Sequence, residues 1–255
     1  MLNIVRHQRI RDLVKSKGTV SVTELKETLG VSEMTIRRDL KILCGEGFLK
    51  RVHGGAGLSS TDMETHFFER SVVNQELKQA IASFAANEIE PNDTIFLDAS
   101  TTCSELAGML PENIKLTVFT NSLEAIIKLR KRAQISIQSF GGELAEDGNT
   151  FDGLITLENT EKIIVNKCFI SASGFSEKSI LNPGMIGTAT KKILIKNSRR
   201  SYLLADSTKY DGIGIIELCK WPEIDVFVCD NLLAEELQLK FRNLVAKAYF
   251  VNPIL

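Results

Sequence analysis

The sequence predicts an α/β protein in two parts: a small basic N-terminal head and a larger body built on a mostly parallel sheet. Three observations predict it. The charge divides, because residues 1–58 hold eleven Lys or Arg against six Asp or Glu while the remainder carries a net −6. Helix caps, a turn glycine and apolar stripes crowd into residues 4–43. From residue 92 onward, short apolar runs recur with helical patterns between them. The 255 residues, 44% apolar and 25% charged, suit a globular chain of one large or two smaller domains. No run approaches the roughly 20 apolar residues of a membrane span. The opening MLNIVRHQRIRDLVK is broken by charge and has no signal-peptide core. The five cysteines are widely spaced, with no C-x-x-C pair, so reduced thiols and a cytoplasmic location are expected.

In the head, Ile4, Ile10, Leu13 and Val14 recur at helical spacing with Arg6, Arg9 and Arg11 between them, and Lys17-Gly18 closes that helix. Ser21-Val22-Thr23-Glu24 has the S-x-x-E form of a capping box. The helix it opens runs through Leu25 and Leu29, and Gly30 stops it. Ser32 then caps a third helix, EMTIRRDLKIL at 33–43. Along it Ile36, Leu40 and Leu43 form one apolar stripe. Successive residues turn by about 100°, so Met34, Arg38 and Lys41 point away from the stripe, with Thr35 and Arg37 on its flanks. Two helices joined by a short glycine turn make a helix-turn-helix, whose second helix enters the DNA major groove. Arginine matches guanine O6 and N7. Met34 and Thr35 suit a thymine methyl, and Ser32 at the helix N-terminus suits a backbone phosphate. A solvated charged face on a structural helix is the plain alternative; two caps, a turn glycine and exposed arginines occurring together favour DNA.

The segment GEGFLKRVHGGAG, 45–57, reads as a β-wing, strand-like from Phe48 to Val52 with a turn at Gly54-Gly55. Lys50, Arg51 and His53 would then lie beside the phosphate backbone, although His53 reads equally well as an ordinary surface histidine. The run VSVTELKETLGVSEMTIRRDL from Val20 and the RVHGGA from Arg51 resemble the winged helix-turn-helix of the DeoR family of bacterial transcriptional regulators. The resemblance implies a double-stranded DNA operator as partner.

The polar stretch after residue 57 marks a linker, so the domains are expected at 1–57 and 76–255, with 58–75 between them. A helical pattern from Glu76 has Leu77, Ala80, Ile81, Phe84 and Ala85 on one side, and Arg70 and Lys78 either face outward, the safer reading, or reach the ligand pocket. The apolar runs lie at 94–99, 116–120, 135–140, 168–172, 201–205 and 225–229. Helical patterns lie at 103–110, 123–131, 186–197 and 233–246. Such alternation indicates a Rossmann-like α/β body, whose ligands sit at the carboxyl ends of the strands.

Polar residues gather at those ends. Asp98, Ser100, Thr101 and Thr102 follow the first run, Asn121 the second, and Gly141, Gly142 and Glu143 the third. Ser173-Gly174 follows the fourth and Asp206-Ser207-Thr208-Lys209 the fifth. Hydroxyls and N–H groups at a helix start hold phosphate. Glycines admit close backbone approach, Lys209 offers a mobile positive charge, and Asp98 and Asn121 suit sugar hydroxyls. Each turn singly also reads as a plain loop cap; five on one sheet edge favour a pocket.

The segments LDASTT, FTNS, G-G-E at 141–143, FISASG and ADSTK are similar to the effector domain of the DeoR family, which itself resembles sugar-phosphate isomerases. The resemblance implies that the S-T-T turn binds an effector phosphate and that the Asp, Asn, Gly-Gly and Lys positions line the pocket. The expected function is a transcriptional regulator, a repressor of a sugar-metabolism operon, controlled by a phosphorylated sugar and acting as a homo-oligomer on repeated half-sites. No cofactor, metal or membrane partner is expected. A second reading stays open: an isomerase or deaminase that also binds DNA, with Asp98, Glu143 or Asp206 as general base.

Overall fold

The computed structural model describes residues 3–17, 19–45, 49–52, 54–58, 67–212 and 214–253. The chain divides into two compact units, Met1–Thr65 and His66–Leu255. The first contains α1 (Asn3–Lys17), β1 (Thr19–Ser21), α2 (Val22–Leu29), α3 (Glu33–Gly45), β2 (Leu49–Val52) and β3 (Gly55–Leu58). Ser21 caps α2 at the position its spacing predicts: its Oγ accepts from Glu24 N at 3.1 Å. Gly30 takes the left-handed φ of 64° that ends α2, and its N–H donates to Lys26 O. Ser32 Oγ accepts from Thr35 N at 3.3 Å, opening α3. Ile10, Val14, Leu25, Ile36, Leu40 and Leu43 pack into one core. The wing holds a third strand that the sequence reading missed, since β1 pairs antiparallel with β3 in the order β1-β3-β2. Three residues before a helix cap carry too little periodicity to register as a strand.

The second unit opens with α4 (Phe67–Val72) and α5 (Gln75–Asn87). Phe67 is fully packed at 1% exposure, so an ordered helix stands within the stretch 58–75 read as linker. Next come β4 (Thr94–Leu97), α6 (Thr101–Met109), β5 (Leu116–Thr120), α7 (Leu123–Leu129) and β6 (Ile135–Ser139). A small hairpin, β7 (Glu143–Leu144) with β8 (Phe151–Asp152), and α8 (Leu154–Thr160) follow. The chain continues through β9 (Val165–Ile170), β10 (Gly174–Phe175), β11 (Ile180–Asn182), α9 (Met185–Lys196) and β12 (Ser198–Leu204). It closes with β13 (Ile216–Cys219), β14 (Val226–Asp230), α10 (Glu235–Leu244) and β15 (Lys247–Val251).

Seven strands form one sheet in the order β15-β14-β12-β9-β4-β5-β6, and every neighbouring pair is parallel. Its central strands read as continuous apolar runs because both faces are covered. Ile95, Leu97, Phe169, Tyr202 and Val226 face the core under α5, α6 and α7. Phe96, Cys168, Ile170, Leu203 and Phe227 face the opposite core with Leu194 of α9, Trp221 and Phe241 of α10. The chain runs outward from β4 through β5 to β6 on one side, then returns to β9 on the other. Strand order therefore reverses between β4 and β9, the place where open α/β sheets leave a crevice for ligands.

Candidate functional site

In the head, α3 sorts its residues as the stripe predicts. Ile36, Leu40 and Leu43 are wholly buried, whereas Met34 is 77% exposed. Arg38 and Lys41 are exposed, and Thr35 is half-buried with its hydroxyl 2.9 Å from Ser32 Oγ. Arg37 is exposed and pairs with Glu33 at 2.7 Å. Asp39, the acid of the T-I-R-R-D-L run, turns inward instead. It is 3% exposed and accepts from Arg6 Nε at 2.6 Å and Nη2 at 3.0 Å, with His7 Nε2 at 2.9 Å. Arg6 thus fastens α1 to α3. Lys50 and Arg51 lie on β2; their side chains, and His53 as a whole, lie outside the described residues.

In the second unit, the turn after β4 sits at the strand-order reversal. Asp98 is 1% exposed. Its Oδ1 accepts from Ser100 N at 2.9 Å, and its Oδ2 accepts from Ser171 N at 2.9 Å and Lys191 Nζ at 2.8 Å. Lys191 Nζ also donates to Ser171 O at 2.7 Å. Burial works to raise the Asp98 pKa, but the Lys191 ammonium and the two N–H donors outweigh it and hold the carboxyl below its ordinary range. The expectation that Asp98 meets sugar hydroxyls gives way here: the group is sealed and ties the end of β4 to the end of β9 from beneath.

Ser100 caps α6, its Oγ accepting from Cys103 N at 3.2 Å. The side chains of Thr101 and Thr102 are buried, at 7% and 3% exposure. Their backbone N–H groups open α6 and have no acceptor among the described residues. On the next strand end Asn121 is 6% exposed. Phe151 N donates to Asn121 O at 2.8 Å, and Asn121 Nδ2 donates to Phe151 O at 3.3 Å. That second bond fixes the amide, and Asn121 Oδ1 is left buried without a partner among the described residues.

Gly141 and Gly142 take φ of 69° and 112°. A Cβ on Gly142 would stand 2.1 Å from Thr156 Oγ1 and 2.4 Å from Asp152 O, so only glycine lets this turn pass the β7–β8 hairpin. Glu143 is exposed, at the start of β7 opposite Asp152. Gly174 is buried against the Gly212 carbonyl, which a Cβ would meet at 2.3 Å; close backbone packing takes the place of the ligand contact expected of it. Lys209 ends the 3-10 turn Ser207–Lys209. It is half-buried, and its ammonium makes no ion pair among the described residues.

Other groups escaped the sequence reading. Lys191 follows a helical pattern beside Lys192, and nothing local distinguishes the half-buried lysine from the exposed one. Asn149 ties the turn after β4 to the start of α7: its Nδ2 donates to Ala99 O at 3.0 Å, and its Oδ1 accepts from Ser122 Oγ at 3.2 Å and Glu124 N at 2.7 Å. Lys78, expected to face outward, is 4% exposed. Its Nζ donates to Arg70 O and to Val73 O. Burial first, then the charges of Lys209 and Arg70, bring its pKa down to about 8 against the pull of Asp206. The carbonyls of Arg70 and Val73 at the α4–α5 turn accept from this lysine and hold it inward. Arg70 is half-buried and reaches Asp147 at 3.5 Å.

Comparison with known proteins agrees with both halves. The DeoR-like helix-turn-helix domain matches residues 6–62 and the DeoR C terminal sensor domain matches residues 73–231. The HTH-type transcriptional regulator GolR of Listeria innocua is 35% identical over 95% of this chain and 96% of its own length. The glycerol-3-phosphate regulon repressor of Escherichia coli is 32% identical, over 88% of this chain and 90% of its own. The lactose phosphotransferase system repressor of Lactococcus lactis is 31% identical, over 91% and 92%. The chain belongs to the DeoR family of transcriptional regulators, with a DNA-binding helix-turn-helix ahead of a sensor domain. Among the described residues, no helix is long and apolar enough to cross a membrane.

Proposed function

We propose that the protein represses a sugar-metabolism operon and that a phosphorylated sugar, seated in the crevice of the sensor domain, changes its grip on the operator. One observation carries the effector half: the partnerless buried Oδ1 of Asn121 at the strand ends. Buried polar atoms are almost always hydrogen-bonded, so an unmatched acceptor calls for a donor from outside, such as a sugar hydroxyl. The open N–H groups of Thr101 and Thr102 at the head of α6 supply the complementary phosphate end. Gly141, whose Cβ position is clear of neighbours, admits the ligand's approach, and Lys209 adds the counter-charge. The body binds without turnover on this reading, because Asp98 is occupied by three donors and held ionised. The relatives' names agree, since two of them are called repressors. The protein works in the cytoplasm as a homo-oligomer, in which paired heads on repeated half-sites multiply a weak single contact.

The coupling between effector and operator is of the usual size, about 1–3 kcal/mol. A thermal-shift screen of sugar phosphates against the matching free sugars, followed by operator binding with each hit, tests the proposal. Stabilisation by a phosphorylated member, with altered operator affinity, is the expected result; no shift from any sugar phosphate defeats it. Lys209→Ala is expected to leave operator binding intact and blunt the effector response. Equal loss of both would point to misfolding.

On the DNA side, Met34, Thr35, Arg37, Arg38 and Lys41 form the groove-facing surface, with Ser32, Lys50, Arg51 and His53 beside the phosphates. Arg38 is the principal base reader, because Arg37 is already engaged by Glu33. Arg38→Ala is expected to relax preference at one operator position at a cost of roughly 1–3 kcal/mol. A binding profile over randomised operators that matches the wild type would refute this placement.

A further inference from the structure

The geometry points to Asp152 as the group that reads the far end of the effector, selecting a neutral polyhydroxyl tail over one ending in a carboxylate. This inference rests on the reading of the crevice as a sugar-phosphate site. Asp152 ends β8, immediately after Phe151, the residue bonded twice to Asn121. Its Oδ1 accepts from Gly153 N at 2.9 Å. Its Oδ2 has no hydrogen bond or ion pair among the described residues. The carboxylate is half-buried, and burial raises its pKa, with the nearby Asp147 charge adding to the effect.

What faces Oδ2 is a position of α9 that carries no side chain. A Cβ built on Gly187 of α9 would lie 3.6 Å from Asp152 Oδ2. Gly187 and Lys191 are four residues apart, so they share one face of α9 about one turn from each other. Lys191 is pinned to Asp98 at the floor of the crevice. The same helix face therefore runs from the sealed Asp98–Lys191 pair to an open space beside a carboxylate oxygen. Asn121 Oδ1, buried without a partner among the described residues, and the half-buried Asp152 Oδ2, which accepts no hydrogen bond from them, thus belong to residues joined through Phe151. Sugar hydroxyls would supply donors to both. A second carboxylate brought there would face Asp152 across a half-buried site, where like charges repel strongly.

The test is calorimetric titration of the full chain with inorganic phosphate, with ribose 5-phosphate, fructose 6-phosphate and glucose 6-phosphate, and with the aldonates 5-phosphoribonate and 6-phosphogluconate. In the wild type at least one sugar phosphate is expected to bind about tenfold or more tightly than the aldonates. Asp152→Asn keeps the shape and the bond from Gly153, and is expected to erase most of that gap while leaving inorganic phosphate unchanged. Gly187→Ala puts a methyl group at ordinary contact distance over Oδ2, and is expected to weaken the sugar phosphate but not inorganic phosphate. An unchanged gap in Asp152→Asn, with the wild type still binding a sugar phosphate, overturns the assignment of Asp152 alone. Loss of inorganic phosphate together with the sugars in Asp152→Asn overturns it too, because the role is then structural. A wild type that binds neither phosphate nor any sugar phosphate defeats the effector reading and this inference with it.

Discussion

Asp98→Ala is expected to cost the second unit about 3–5 kcal/mol, the scale seen when one partner of a buried ion pair is removed. The substitution strands the Lys191 ammonium and leaves the N–H groups of Ser100 and Ser171 without their acceptor. It also unties β4 from β9 at the point where the crevice opens. Denaturant unfolding followed by a probe in the second unit measures the loss. The pH dependence has a definite sign. A carboxyl whose folded pKa lies below its unfolded value stabilises the fold above that unfolded value and ceases to do so as pH falls through the folded one. The wild type should therefore lose stability as pH drops below about 4, the ordinary aspartate value. Asp98→Ala should lose less over the same interval. A variant as stable as the wild type, or one with a steeper acid limb, would contradict the structural role of this pair.

Leu40→Ala is expected to abolish operator binding by unfolding the head. Leu40 is fully buried at the meeting of α1, α2 and α3, and removing such a side chain costs about 2–5 kcal/mol. A domain of this size seldom holds more than about 3–5 kcal/mol in its single core, so the loss consumes most of its stability. The second unit has its own two cores, and its unfolding transition should persist. Operator titration and calorimetric unfolding on one preparation separate these effects. Full operator affinity in Leu40→Ala would mean that α3 does not depend on the stripe that places its arginines.

The head was the more legible half because its signals are local. The Ser21 cap of the S-x-x-E pattern, the αL glycine and the Ser32 cap each act within four residues, and each appears in the structure at its expected position. The strand ends that carry Asp98, Asn121 and Gly142 were legible for a similar reason, since an apolar run that stops in polar residues marks a rim. Missed elements were short or unpatterned. The α8 helix exposes Leu154 and Ile155 and so lacks an amphipathic stripe, while β15 is an edge strand of five half-covered residues.

The amino-acid order by itself determined the two-part division, the buried and exposed sides of α3, and the sheet edge where polar residues gather. Periodicity and caps depend on neighbours along the chain. Tertiary structure alone decided that Asp98 is sealed against Lys191, that Lys78 turns inward, that Asn121 Oδ1 goes unmatched and that Asp152 faces Gly187. Apart from Lys78, whose two carbonyl acceptors lie within the preceding helical turns, those outcomes join residues about thirty to a hundred positions apart, and burial sets their charge and hydrogen bonding; no stretch of sequence encodes which partner arrives across the sheet.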